Sequence, residues 1–523
     1  MRRSAFAALL LAAWPLQARG ESVRVIAYDE GGKLLETQAL LKHISPAGAE
    51  GAGESAGLYL AGLSGAAAQG RPWWVRSSTA PQWSWSGAER VRASLPWPVP
   101  QDGFSTVRLD GDGSGYADGG IVFLNEDAAK TAWRQFRESL DYRVKSSTPA
   151  YRPSPEFRRL EDRAKEAMTQ AHRPEDARRR ARLFDQALGD ISAAWQKLLF
   201  EHGAQAAADP ARGAGLRWGL TLDETAADRL AELDFIAERA AASGADSVRL
   251  VFRLNPEDFY YERGSSFAVY DRIVRAFSVR GLRVMGSVLD SALWPRSLTP
   301  QDYVDRTRNL VSHYSSTSSE RAVQIRSWEV ASEPNGNWLG GWRNPLPDET
   351  ILVSVSSAEA EVKRIDPTLE TVATLYWWEG TAQDDRHPLF AWLAWSLPRG
   401  FGTDIDILGL SIYPNDNPMG IALDPAWRRL SELFPDKKLM LGGFGFMEKD
   451  SLHGYWWLEP DSVWEARKDI LVLYTGAACA LPRSVGGGFW WQALDQMLAE
   501  GKKPQALLRL YGSTLKRLKT PAP

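Results

Sequence analysis

From about residue 213 to the C-terminus, strand-like and helix-like stretches alternate eight times, and that alternation leaves few architectures open. The strand-like pieces are 217–222, 247–254, 283–289, 325–331, 371–376, 405–412, 438–441 and 488–491. Helical patterns lie between and after them, near 225–243, 267–279, 300–315, 349–365, 389–397, 424–434, 462–480 and 503–518. Parallel strands need long crossovers, usually helical, so strict alternation predicts an α/β chain with a parallel sheet. Eight units over about 300 residues match the count and length of a (β/α)8 TIM barrel. An open doubly wound sheet would carry a Gly-rich phosphate turn after its first strand, and Gly219-Leu220-Thr221-Leu222-Asp223 is not one.

Ahead of the barrel, expected over 213–523, three further segments are legible. Residues 1–20 carry Arg2 and Arg3, an apolar run from Ala5 to Trp14 and a small-x-small site at Ala18-Arg19-Gly20. That is the pattern of a cleavable signal peptide, so the mature chain is expected to be periplasmic or secreted. The apolar run is too short to span a bilayer, and no membrane span is expected in the mature chain. Residues 21–123 read as short strands separated by Gly, Ser and Pro clusters, such as Ser22–Tyr28 and Thr106–Leu109. They predict a β-sandwich, either carbohydrate-binding or a brace. Residues 124–212 predict a helical connector, with Phe184, Leu188, Ile191, Trp195 and Leu198 forming one apolar stripe. The single cysteine, Cys479, excludes an internal disulfide.

Net charge of −3 and the lack of a basic run argue against nucleic acid as a partner. The 23 tryptophans are an unusual load, and indole faces stack well on the C–H faces of sugars. Within the N-terminal segment, Asp110, Asp112, Ser114 and Asp118 place oxygens at positions 1, 3, 5 and 9 of a Gly-rich loop, the spacing of a calcium site. Ile121 stands where the bidentate Glu of such a loop belongs. A hairpin tip explains the same residues, so structural calcium and a plain turn both stand. No cofactor for catalysis is expected, and no zinc-ligand spacing surrounds any of the six histidines. Asp384 and Asp385 are expected on a solvated loop beside His387.

The chemistry is expected at the C-terminal ends of the strands. In Trp328-Glu329-Val330-Ala331-Ser332-Glu333-Pro334-Asn335 an apolar strand runs into a carboxylate, and a proline without an N–H ends the ladder. A carboxylate there stands at the rim rather than in packing. Leu441-Gly442-Gly443-Phe444-Gly445 ends the seventh strand without any reactive group. Trp377 and Trp378 follow strand five, and Trp490 and Trp491 end strand eight. Adjacent strand residues face opposite ways, so one of each pair is expected in the core and the other at the rim.

These motifs, in this order, resemble the clan-A retaining (β/α)8 glycoside hydrolases, the cellulase-like and xylosidase-like families. The resemblance implies Glu333 as acid/base and a polysaccharide or oligosaccharide as ligand. It further implies that Arg249 and Tyr413 serve the nucleophile, that Ser332 stands in for the family's Asn, and that Trp490 or Trp491 floors a sugar subsite. The strand-seven position that carries the nucleophilic Glu in the family is Gly443, which leaves that slot vacant. A retaining mechanism needs two carboxyl groups roughly 5 Å apart, and glycine supplies none.

Three readings follow. The first is a relic that binds sugar without turnover, a non-catalytic carbohydrate-binding or exopolysaccharide assembly protein. The second is an altered hydrolase, with a water in the slot and another rim carboxylate, Glu379, Glu448 or Asp290, working with Glu333. The third is a shifted register that makes Glu448 itself the nucleophile. A structural pairing of Glu333 with Arg249 is the plainest alternative for those two residues.

Overall fold

A computed structural model describes residues 21–44, 57–63, 68–74, 81–100, 102–253, 265–315, 324–341, 343–379, 384, 386–446 and 463–520. The signal-like segment 1–20, Asp385 and Glu448 lie outside the described residues. The described residues between Glu21 and Phe123 form strands β1 (Glu21–Ile26), β2 (Tyr59–Gly62), β3 (Gln69–Trp74), β4 (Gln82–Ser86), β5 (Arg90–Val99), β6 (Gly103–Leu109), β7 (Tyr116–Ala117) and β8 (Ile121–Phe123), with one short helix, α1 (Thr37–His43). They make two small sheets, β3-β4-β1-β8 and β2-β5-β6 with β7 on β5. Most pairings are antiparallel, but β1 and β8 run parallel, with Arg24 opposite Ile121.

Helices α2 (Leu124–Lys145), α3 (Pro155–Ala171), α4 (Ala177–Ala208) and the single turn α5 (Pro210–Gly213) follow. Helix α3 opens on Ser154, whose hydroxyl caps Phe157 N–H, with proline at the first turn; both are strong start signals. The stripe of α4 from Phe184 to Leu198 is wholly buried. Near its C-terminal end α4 touches a barrel helix, and there Gly203 must lack a side chain, since a Cβ would sit 2.1 Å from the Gly476 carbonyl oxygen.

The remainder closes into an eight-stranded parallel barrel: β9 (Arg217–Leu222), β10 (Ser247–Val251), β11 (Arg283–Ser287), β12 (Ser327–Ser332), β13 (Glu370–Tyr376), β14 (Ile407–Ile412), β15 (Lys438–Phe444) and β16 (Ser484–Trp490), each paired to the next and β16 back to β9. Around it stand α6 (Leu233–Ala242), α7 (Ser265–Ser278), α8 (Pro300–Tyr314), α9 (Asp348–Ile365), α10 (Leu389–Ser396), α11 (Leu423–Leu433), α12 (Val463–Cys479) and α13 (Lys502–Lys519). Strands buried on both faces read as unbroken apolar runs, which is why the barrel is visible in the sequence. Strands seven and eight are longer than the sequence suggests: β15 continues through Gly443 to Phe444, and β16 starts four residues earlier, at Ser484. Gly486, Gly487 and Gly488 interrupt the apolar pattern of β16 and adopt φ of +76°, +91° and +78°, which only glycine takes freely. Among the described residues no helix is long and apolar enough to cross a membrane.

The N-terminal part is joined to the barrel by buried polar contacts. Arg143 of α2 and Asp424 of α11 form an ion pair with side chains 0% and 1% exposed, one of its bonds measuring 3.2 Å. Thr106 of β6 donates its N–H to the Met419 carbonyl at 3.2 Å, beside the loop that leaves β14. Breaking one side of a buried ion pair leaves an uncompensated charge, at a cost of about 3–5 kcal/mol. Arg143→Met is therefore expected to lower stability by about that much in urea melts. Arg143→Met with Asp424→Leu should recover most of it, whereas equal loss in both variants would mean the pair does not act as a unit.

Candidate functional site

The barrel interior is tiered, and the period-two ladder of the strands shows how. At the bottom Met285, Val372, Ile407, Met440, Val485 and Phe489 form an apolar plug. Two residues higher on β13 stands Thr374, and two higher again Tyr376. On β14 the same climb runs Ile407, Gly409, Ser411 and then Tyr413. The middle tier is polar, and the top tier is an aromatic cup of Tyr376, Trp378 and Tyr413 with half-buried Trp338 and Trp491 packed against it.

The middle tier is organised by Arg249. Its Nε donates to Glu329 Oε2 at 2.8 Å, and its Nη2 bonds the same oxygen and Asp290 Oδ2 at 3.0 Å. Glu329, 1% exposed, also accepts from Ser287 Oγ at 2.6 Å and Thr374 Oγ1 at 2.7 Å. Burial works against the Arg249 charge, but the Glu329 and Asp290 carboxylates outweigh it and hold the guanidinium firmly protonated. Arg249 therefore bonds Glu329 and Asp290, and no described hydrogen bond joins it to Glu333. Its guanidinium lies 5.0 Å from the Trp491 ring centroid, a cation–π contact that sets that ring against the polar tier.

Glu333 sits directly above. It is 9% exposed and has φ of +50°, left-handed backbone that a non-glycine residue rarely adopts. Its N–H bonds the Thr374 carbonyl at 2.6 Å and its own carbonyl accepts from Gly336 N–H at 2.9 Å, which holds the conformation. Strain kept in place by surrounding bonds is typical of sites that must aim a side chain. A register shift between Glu329 and Ala331 precedes it, the kind of bulge that re-aims residues at barrel rims.

Glu333 and Asp290 are cross-laced through each other's neighbours. Ser291, next to Asp290, donates its hydroxyl to Glu333 Oε2 at 2.7 Å. Ser332, next to Glu333, donates to Asp290 Oδ2 at 3.4 Å. Burial and then the Asp290 charge push the Glu333 carboxyl up to about 7; bonds from Ser291 and Ser411 and the Arg249 charge oppose the rise. Glu333 thus keeps its proton to a higher pH than an ordinary carboxyl does.

The slot at 443 is not open space. A Cβ built on Gly443 would lie 2.6 Å from the Tyr413 hydroxyl oxygen and 3.5 Å from Ser411 Oγ. The sequence suggests a vacancy there, and the Tyr413 hydroxyl fills it. Tyr413 is held by a stacked contact with Tyr376, centroids 6.2 Å apart, and an edge contact with Trp491 at 6.4 Å. Burial and then the Glu333 charge raise its phenol well above the usual range. Gly443→Ala is expected to destabilise the barrel by about 1–3 kcal/mol through overpacking against this hydroxyl. Tyr413→Phe in the same chain should relieve it, and an unchanged melting point in Gly443→Ala would mean that the phenol moves aside freely.

The other sequence-predicted residues divide. Trp490 is fully buried and donates Nε1–H to Gln496 Oε1 at 2.9 Å, while its neighbour Trp491 faces the site. Trp377 is buried on the opposite side from the cup and donates to the Pro418 carbonyl at 3.3 Å; Trp378 joins the cup and donates to the His387 carbonyl at 2.6 Å. Glu379 lies elsewhere, in an ion pair with Arg108 of β6 at 3.0 Å. It lines a separate cavity of about 310 Å³ with Tyr59, Arg92, Arg108 and Phe390. Asp384 is half-buried rather than wholly solvated: it and Asp348 bracket His387 at 2.8 and 3.2 Å. Burial opposes the histidine's charge, yet the two carboxylates push it up to about 9. Their bonds are structural and tie down the segment before α10.

The calcium-like loop does not fit a calcium ion. Asp110 pairs with Arg134, and its other oxygen accepts from Gly113 N–H at 3.0 Å. Ser114 donates to the Gly111 carbonyl at 2.7 Å, and Asp118 accepts from Ser22 N–H at 2.8 Å. Arg90 takes the Ser114 carbonyl at 2.6 Å and the Gly115 carbonyl at 3.0 Å, and Arg92 takes the Gly113 carbonyl at 3.3 Å. The Asp110 carboxylate and the Gly113, Ser114 and Gly115 carbonyls face guanidinium groups instead of converging on a cation, and Asp112 follows the hairpin with φ of +56°. Among the described residues no three His, Cys, Asp or Glu cluster as a metal site.

Glu329, Ser291, Ser411, Trp338 and Tyr376 are site residues that the motifs do not single out. One signal exists for Glu329. A lone acid in one apolar strand and a lone Arg249 in another, both predicted buried, require each other.

No family profile matches the chain, and no curated protein matches it. Solved structures overlap it loosely. A family 1 β-glucosidase from Thermotoga maritima is 12% identical, with a TM-score of 0.39, covering 53% of this chain and 88% of its own. The endo-1,4-β-mannanase from Rhizomucor miehei is 11% identical at 0.39, covering 58% and 95%. A GH5_18 protein from Streptomyces cattleya in complex with GlcNAc is 15% identical at 0.42, covering 59% and 81%. Overlap this loose fixes no activity for the present chain.

Proposed function

We propose that this protein is an exported, periplasmic or secreted, glycoside-hydrolase-like enzyme that cleaves a polysaccharide held in the aromatic cup. Glu333 is its proton donor and Asp290 its second carboxylate. The observation that carries this reading is the crossed Glu333–Asp290 pair: one buried acid pushed to about 7 beside another carboxylate anchored by Arg249. Environments that separate two nearby carboxyl groups are how a fold assigns one of them to donate a proton near neutral pH. The left-handed backbone at Glu333 and the rings of Trp338, Tyr376, Trp378, Tyr413 and Trp491 support it. The two N-terminal sheets we read as a sandwich that braces the barrel, since β6 gives Arg108 and Thr106 to barrel contacts.

A second reading has one observation in its favour: Gly443 offers no carboxylate, as in a non-catalytic polysaccharide-binding or export protein. Reducing-sugar release from a panel of bacterial and plant glycans separates the two. The hydrolase reading expects release from at least one glycan and its loss in Glu333→Gln. Quenching of Trp fluorescence by oligosaccharide with no release, unchanged in Glu333→Gln, supports the binder instead.

A further inference from the structure

Resting on the hydrolase reading of the barrel mouth, we infer that the Tyr413 hydroxyl is the nucleophile of this site, attacking the anomeric carbon where a strand-seven carboxylate would otherwise act. The geometry behind this is the 2.6 Å between that hydroxyl and the place of a Cβ on Gly443, with the ring carbon Cζ at 3.6 Å. An acidic side chain at 443 would begin 2.6 Å from the phenol oxygen, so a carboxylate could stand there only if the phenol shifted. Glycine at 443 is what gives the phenol its place.

Three surroundings bear on the role. The ring is fixed by Tyr376 and Trp491, so its oxygen is pre-positioned at low entropic cost. Among the described residues no hydrogen bond engages the hydroxyl, leaving its lone pairs free for a sugar. Burial and then the Glu333 charge disfavour the ionised phenol and the Arg249 charge only partly offsets them, while Nη1 of that buried guanidinium has no partner among the described residues. Phenolic oxygen is competent for this chemistry: some glycosidases use tyrosine, and tyrosine forms covalent intermediates elsewhere.

The step balances with the groups present. The Tyr413 oxygen forms a bond to the anomeric carbon as the bond from that carbon to the leaving oxygen breaks. Glu333 gives its proton to the leaving oxygen, and the phenolic proton passes to a water molecule. A water oxygen then bonds the anomeric carbon and gives a proton to Glu333. The carbon–phenol bond breaks, and the phenolate takes a proton back from water. No oxidant, metal or further co-reactant is required, and two displacements return the anomeric configuration to its starting hand.

The test uses the full mature chain and the glycan it cleaves in the reducing-sugar panel. Proton NMR during the first minutes should show product of retained configuration. Acid-quenched enzyme in steady state should carry one added glycosyl mass on the peptide containing Tyr413. Tyr413→Phe should lower turnover by at least about a hundredfold, with melting temperature and oligosaccharide quenching of Trp fluorescence preserved. Inverted product, a glycosyl mass on another residue, or undiminished turnover in Tyr413→Phe would each overturn the assignment while leaving the hydrolase reading intact. If no glycan is cleaved by the unaltered chain, the hydrolase reading fails and takes this assignment with it.

Discussion

Glu333→Gln is expected to lower turnover by about 10²–10⁴-fold, the range a positioned general acid contributes. It should also remove the fall in rate above neutrality. The carboxyl is pushed to about 7, mainly by burial and then by Asp290, and only the protonated form can donate. Rate in the unaltered chain should therefore decline as pH rises through about 7. The same shift has a stability consequence of definite sign. An acid whose folded value is raised from 4.5 to about 7 contributes stability that is fully present below 4.5 and lost as pH rises through about 7. Glutamine cannot ionise, so Glu333→Gln should gain about 3 kcal/mol over the unaltered chain at alkaline pH and nothing at about pH 4. Urea melts at the two pH values read this directly. Equal stability at both would mean that the carboxylate is hydrated when charged.

Arg249→Met is expected to lower stability by about 3–5 kcal/mol. Arg249 is the cation that bonds both Glu329 and Asp290, and all three side chains are at least 95% buried. Removing it leaves two carboxylates in the barrel without their ion pair, with the Ser287, Thr374 and Ser332 hydroxyls and the Ala292 N–H as donors to them. It also removes a charge that lowers the Glu333 value, so the proton donor should titrate higher in this variant. Adding Glu329→Gln should recover part of the loss, and the cycle of single and double variants measures the coupling. A cost below about 1 kcal/mol would place the cluster among weak, solvent-screened pairs.

The eight-stranded barrel is legible in the sequence because its strands are covered on both sides by other residues, so most of them read as largely apolar runs. Glu333 is legible for the opposite reason, as a carboxylate where a proline stops the strand. What local pattern cannot reveal is which distant group meets a given side chain. Glu379 looks like a rim carboxylate until Arg108, 271 positions earlier, is found paired to it. The loop at Asp110 has calcium spacing, but the spacing does not show that Arg90, Arg92 and Arg134 already face its oxygens. The absence of an acid at 443 is plain in the sequence. That a hydroxyl from the neighbouring strand fills the place depends on the register shift between Leu410 and Ile412, which only the paired strands display. Glu448, past the end of β15, lies outside the described residues, and the shifted-register reading rests on it alone.

Burial and then the Asp290 charge raise the Glu333 carboxyl to about 7, so that a proton remains available on it near neutral pH. Infrared difference spectra between the unaltered chain and Glu333→Gln, recorded across pH, isolate that one carboxyl. A protonated-carboxyl band that disappears with a midpoint near 7, and that moves to lower pH in Asp290→Asn, is the predicted result. A midpoint near the ordinary 4.5, unmoved by Asp290→Asn, would contradict it.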